Sequence, residues 1–261
     1  MVSNLNSPQR VLENIRGAQR RMSSMDELLG DAALNAFASH LSDLLAHQDP
    51  GGLASVVSSD LGAEITLNLV NAATELETAW NVLRLGNMPG ARRQGRVASE
   101  FIGLAVLNAL PRHSLVSLGN RVPVAKLLQQ HPTKSVAELC SPELIHAGSS
   151  VEVLEPKIRA ADAFTSFLSA CEHILSVPES QVQQLRSYRK TVQHPASHAT
   201  REVFVFHFEG FTGGPVGAVF DPGRAKTYRT EADALISLTA FLVRILSATV
   251  TCLSPTSLPA R

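Results

Sequence analysis

Apolar residues recur at three- and four-residue intervals over most of this chain, the spacing of helices that bury one face. Val11, Ile15 and Ala18 line one side of a predicted helix over 7–22. Ser24, with Glu27 three residues later, forms a capping-box pattern ahead of a second run. That run, from Leu28 through Phe37 and Leu41 to Leu45, stops at Asp49-Pro50-Gly51-Gly52. From Asp60 to Leu85 the positions Ile65, Leu69, Leu76, Trp80 and Leu83 again suit a helix, which Gly86-Asn87-Met88-Pro89-Gly90 interrupts. A matching run from Ala91 to Leu110, with Val97, Phe101, Leu104 and Leu107, ends at Pro111. Two long helices joined by so short a turn predict an antiparallel helical hairpin.

Between Val122 and Gly148 the prolines divide the chain into short helices, Val124 to Gln130, Ser135 to Leu139 and a turn opened by Ser141-Pro142-Glu143. Helical spacing resumes from Ser150 to Leu175 and again from Glu179 to about Gln193, closed by His194-Pro195. The period then changes. Val203, Val205 and Phe208, interleaved with Phe204, Phe206 and His207, and then Val216 to Phe220, read as a small β-hairpin over 202–220. Thr230 with Glu231 and Asp233 predicts the start of a last helix through Leu235, Leu242 and Leu246. The expected fold is mainly α, an antiparallel helical bundle with a small C-terminal β-hairpin. Its parts are N-terminal helices over 1–52, a helical domain over 53–253 and a frayed tail over 254–261.

Composition narrows the function classes. The chain of 261 residues carries 23 Lys+Arg against 23 Asp+Glu and is 5% aromatic. That argues against a duplex-DNA binder with an overall positive field and against a strand binder built on aromatic stacking. Cys140, Cys171 and Cys252 are too scattered for a disulfide framework or a zinc pair and read as reduced thiols. Residues 1–21 hold four arginines without an apolar core, so a signal peptide is not expected. The apolar stretches near Phe101 to Leu110 and Leu235 to Leu246 carry polar residues and read as short of a membrane span, so a cytoplasmic protein is expected. Neither a glycine-rich phosphate loop after a strand, nor a Gly-x-Ser-x-Gly elbow, nor a His-Glu-x-x-His pair occurs.

The densest chemical signal is Tyr188-Arg189-Lys190-Thr191-Val192-Gln193-His194-Pro195. Five residues advance roughly 140° round an ideal helix, which would separate Arg189 from His194. The proline after His194 pushes that residue out of helical geometry and frees it to turn back toward Arg189. Such a pair suits phosphodiester chemistry without a metal. An imidazole takes the proton of a ribose 2′-hydroxyl or returns one to the leaving oxygen, while a guanidinium steadies the phosphorane oxygens. On the structural alternative, Arg189 pairs with a neighbouring helix and His194 caps a helix end.

Arg189-x-x-x-x-His194, late in a helical bundle, resembles the Arg-x(4 to 6)-His motif of the HEPN superfamily, an all-α group that includes many RNA-cleaving toxins and antiphage effectors. The run from Ala79 to Asn87, then Ala91 to Leu107 with Arg96 and Glu100, is similar to the helix pair that precedes the motif in HEPN-like bacterial families; the likeness covers about 60–195. The resemblance implies a bundle of HEPN type and a metal-independent endoribonuclease of a stress or phage-defence system. It further implies that Arg189 and His194 are catalytic, in a homodimer whose two pairs share one cleft. RNA or a nucleotide, and an antitoxin or immunity protein, are the implied partners; no cofactor is expected. Lys190 departs from the Asn, Asp or His often found after the arginine, and Ala196 stands where nucleotide-modified toxins have a tyrosine. The alternative is a HEPN-like scaffold that binds a nucleotide or a protein without cleaving.

Arg96 and Glu100 share a helix face, either as a surface ion pair or with Glu100 set against Arg189 or His194. Arg92, Arg93 and Arg96 read as a solvated face or a phosphate-binding edge. Tyr188 and Lys190 count as supporting residues. His194 and His198 have ligand-like spacing, but Pro195 intervenes and no acid or cysteine is close, so no metal site is expected.

Overall fold

A computed structural model describes residue 17 and residues 22–119, 122–140, 160–193 and 222–254. The described residues are mainly helical and contain no strand. They form α1 (22–29), α2 (Asp31–Leu45), α3 (Ser59–Arg84), α4 (Met88–Ala109), α5 (Arg112–Ser117), α6 (Pro123–Gln130), α7 (Val136–Cys140), α8 (Ala160–His173), α9 (Glu179–Gln193) and α10 (Ala225–Leu253). The expected hairpin at 202–220, the turn after Ser141, the tail beyond Ser254 and, apart from residues 17 and 22, which are helical, the expected helix over 7–22 lie outside the described residues.

The α3–α4 turn follows from three residues. Gly86 adopts φ 83°, a left-handed conformation that suits a residue without Cβ. Its N–H donates to Leu83 and the Asn87 N–H donates to Val82, the two bonds of a Schellman ending. The Asn87 side chain then accepts from the Gly90 N–H at 2.9 Å and caps α4. The new helix therefore begins at Met88, three residues before the expected Ala91, because Pro89 fits a first turn whose N–H groups need no helical partner.

α10 also starts earlier than Thr230. A 3-10 turn, Pro222–Arg224, leads into Ala225, and Tyr228 is fully buried one turn later. The Thr230 hydroxyl donates back to the Lys226 carbonyl, so Thr230 is an interior residue and not the cap. Its 29 residues make α10, among the described residues, the one helix long and apolar enough to cross a membrane by length and composition. The run expected to end near Leu246 is thus part of a longer helix.

The chain divides into two compact units, and each of its passages between them falls inside a helix. Unit 1 comprises Met1–Leu41, Thr74–Arg96 and Arg186–Ala240; unit 2 comprises Ser42–Ala73, Val97–Leu185 and Phe241–Arg261. In unit 1 Phe37 and Trp80 stack with ring centroids 4.6 Å apart, and Met25, Leu76, Leu83 and Tyr228 are buried in the same unit. Arg84 donates to both oxygens of Asp26, which ties α3 to α1. In unit 2 α6 packs against α5, α7 and α8, over a core that includes Leu115, Val124, Leu128, Phe164 and Phe167. There Asn108 of α4 donates to Glu64 of α3, a contact between the two hairpin helices far from their turn.

Candidate functional site

The predicted motif occupies the last turns of α9, a helix whose sequence sets its own start. Pro178 accepts from the Gln181 and Val182 N–H groups at 2.9 and 3.2 Å, and Glu179 places a negative charge at the positive end of the helix dipole. Val182 and Leu185 are buried, and Tyr188 follows at the same three-residue step. Arg189 and Lys190 come next as helical backbone, about 100° and 200° further round the axis. His194 lies outside the described residues, as do His198 and His207.

Tyr188 is the hub of what is described. Its hydroxyl donates to the backbone carbonyl of Arg92 on α4 at 3.1 Å. Gly95, one turn along α4, makes room for it: a Cβ built there would collide with the hydroxyl and stand 3.2 Å from Leu238 of α10. Burial, and then the nearby Glu231 carboxylate, push the phenol far above its ordinary value, with Arg92 opposing. At neutral pH Tyr188 is therefore a protonated donor, not a base.

Arg92 is held from the other side. Its Nε donates to Glu231 Oε2 at 2.8 Å, and its terminal nitrogen pairs with Oε1, giving a two-pronged contact between α4 and α10. Arg92 thus belongs to an ion pair inside unit 1, whereas its neighbour Arg93 is exposed. Arg96 sits on the same helix, partly buried, with Glu100 four residues on and also partly buried. Glu231 is the residue that reading the sequence missed. In the sequence it reads as an acid of a helix start, and nothing local points to an arginine 139 residues away.

A second polar cluster lies in unit 2. Ser135 and Glu138 form a capping box at α7: the Glu138 N–H donates to the serine hydroxyl at 3.2 Å and the Ser135 N–H to the Glu138 carboxylate at 2.7 Å. Glu64 accepts from Asn108 at 3.3 Å and from the Ser135 hydroxyl at 3.4 Å, while Asn108 accepts from the Ala137 N–H at 2.9 Å. Desolvation first, then Glu138 and Asp60, raise the Glu64 carboxyl, against the Ser135 bond. Every group here has a partner within the helix junction, so the cluster acts as a joint. Cys171, buried, has its thiol pushed well up by desolvation and is held unreactive at neutral pH. Among the described residues no group of three or more His, Cys, Asp or Glu side chains is placed to hold a metal.

Comparison of the chain with protein families, with curated proteins and with solved structures finds no match.

Proposed function

We propose that this chain is a metal-independent endoribonuclease of HEPN type, acting as a cytoplasmic homodimer in bacterial stress or phage defence. His194 serves as general acid and base and Arg189 stabilises the charge that develops on phosphate. The observation that supports the reading is local to unit 1. Tyr188 seats the motif end of α9 on the arginine-bearing first turns of α4. The segments 88–96 and 186–193 together contain Arg92, Arg93, Arg96, Arg186, Arg189 and Lys190 and no acid. Arg92 is paired with Glu231, and the concentration of cations without acids in these two segments fits a polyanion as the ligand class. Arg96, Lys190 and Glu100 are the supporting groups on this reading, and an antitoxin or immunity protein is the expected regulator.

Purified protein is expected to cut single-stranded RNA in EDTA. His194→Ala and Arg189→Ala should each lower the rate at least a hundredfold, the scale of losing a general acid–base group, with far-UV circular dichroism unchanged. Activity should follow a bell centred near neutral pH, because one imidazole works as acid and base. RNA left intact by wild type but retained on a filter would favour the binding scaffold, and variants as active as wild type would remove Arg189 and His194 from the chemistry.

A further inference from the structure

We infer that Tyr188, Arg92 and Glu231 form a brace that holds the motif-bearing end of α9 in register with α4 and α10, and that all three are positioning residues for the Arg189–His194 pair. The catalytic half of this inference rests on the nuclease reading; the mechanical half does not.

Beyond Leu185 the sequence of α9, Arg186-Ser187-Tyr188-Arg189-Lys190-Thr191-Val192-Gln193, contains one large ring. That ring's hydroxyl lands on the backbone of Arg92, not on a side chain that can swing. The residue it lands on is the one whose guanidinium is gripped at both prongs by Glu231. Displacing the Arg92 backbone disturbs both contacts at once, so Arg92 of α4 couples the placement of α10 to that of α9. Gly95 keeps open the space the hydroxyl occupies, since a Cβ there would strike it. Catalysis by a paired base and cation depends on sub-ångström placement. The Tyr188 contact is one place where such placement can be set.

Tyr188→Phe keeps the ring and removes the bond; Glu231→Gln keeps the shape and removes the charge. In both, amide hydrogen exchange over residues 186–193 should rise about tenfold while that of Val97 to Ala109 stays at wild-type rates. With single-stranded RNA as substrate, kcat should fall at least tenfold with KM within twofold, since a mispositioned pair still binds its polyanion. Exchange over 186–193 that does not change overturns the brace, whatever happens to RNA. Faster exchange with an unchanged kcat overturns the positioning role. A wild type that cuts no RNA but shows the exchange response removes the nuclease reading and leaves the brace supported.

Discussion

A methyl group at residue 95 would occupy the space the Tyr188 oxygen fills, and that makes the pair a sensitive test of the packing in unit 1. In most helix interiors Gly→Ala stabilises by about 1 kcal/mol through propensity. Here overpacking dominates, and Gly95→Ala should cost about 1–3 kcal/mol in urea denaturation. Combined with Tyr188→Phe, the same change should cost less than half as much, because the atom it strikes is gone. Additive effects of the two substitutions would show that ring and glycine are not in contact. Tyr188→Phe alone should cost only about 0.5–1.5 kcal/mol, the net worth of one hydrogen bond, since the Arg92 carbonyl lies within α4 and keeps its helical partner.

Helices carry their own tests at their junctions. Glu64 ties α3 to α4 and to the capping box of α7, and its carboxyl is raised above the ordinary 4.5. The folded state therefore binds more protons than the unfolded state just above pH 4.5, and stability falls as pH rises through that window. Glu64→Gln should be the more stable protein at pH 7 in thermal melts, with the advantage shrinking to nothing once both forms are neutral in acid. A variant less stable than wild type at pH 7 would show that the carboxylate's bonds to Asn108 and Ser135 outweigh its desolvation.

The same scale shows how much could be read in advance. α9 has the expected bounds because Val177-Pro178 and Glu179 spell its start in adjacent residues. The α3–α4 turn is legible from Gly86, but Pro89, which has the pattern of a stop, suits the first turn of α4. Thr230, with Glu231 and Asp233 after it, has the sequence pattern of a cap, although buried Tyr228 anchors a helix that begins earlier. Ser135 and Glu138, three residues apart, carry a capping signature legible in the sequence. The joining contacts, Arg92 with Glu231 and Arg84 with Asp26, span 139 and 58 residues, and no periodicity encodes them. For the site, Tyr188 and the α4 arginines were legible as residues, whereas the partner that fixes Arg92 was not.

At the scale of the whole molecule, the acid limb of stability has a named contributor. His47, in a 3-10 turn of unit 2, has Nδ1 buried without a partner and Nε2 3.4 Å from the Ser247 hydroxyl. Desolvation lowers its pKa below the ordinary 6.5, against the pull of Asp43. Stability is then fully present above pH 6.5 and lost as pH falls below it, because the unfolded chain takes up the proton first. His47→Gln should flatten this limb between pH 6.5 and the folded pKa in urea midpoints measured across pH; an unchanged slope would place the loss elsewhere. The connectivity supplies another measurement. Trp80, the single tryptophan, lies in unit 1, while helical dichroism reports on both units. Since helices run unbroken through every boundary between units, the two signals should share one midpoint. Separate midpoints would mean that α2, α3, α4, α9 and α10 can melt from one end.

Those boundaries also bear on how such a chain can diverge. Leu41/Ser42, Ala73/Thr74, Arg96/Val97, Leu185/Arg186 and Ala240/Phe241 all fall within helices. Genetic recombination that replaced either half with a stranger's would have to splice five rods in phase at once. Descendants of this sequence are thus expected to drift by point changes and loop insertions, and not by trading modules.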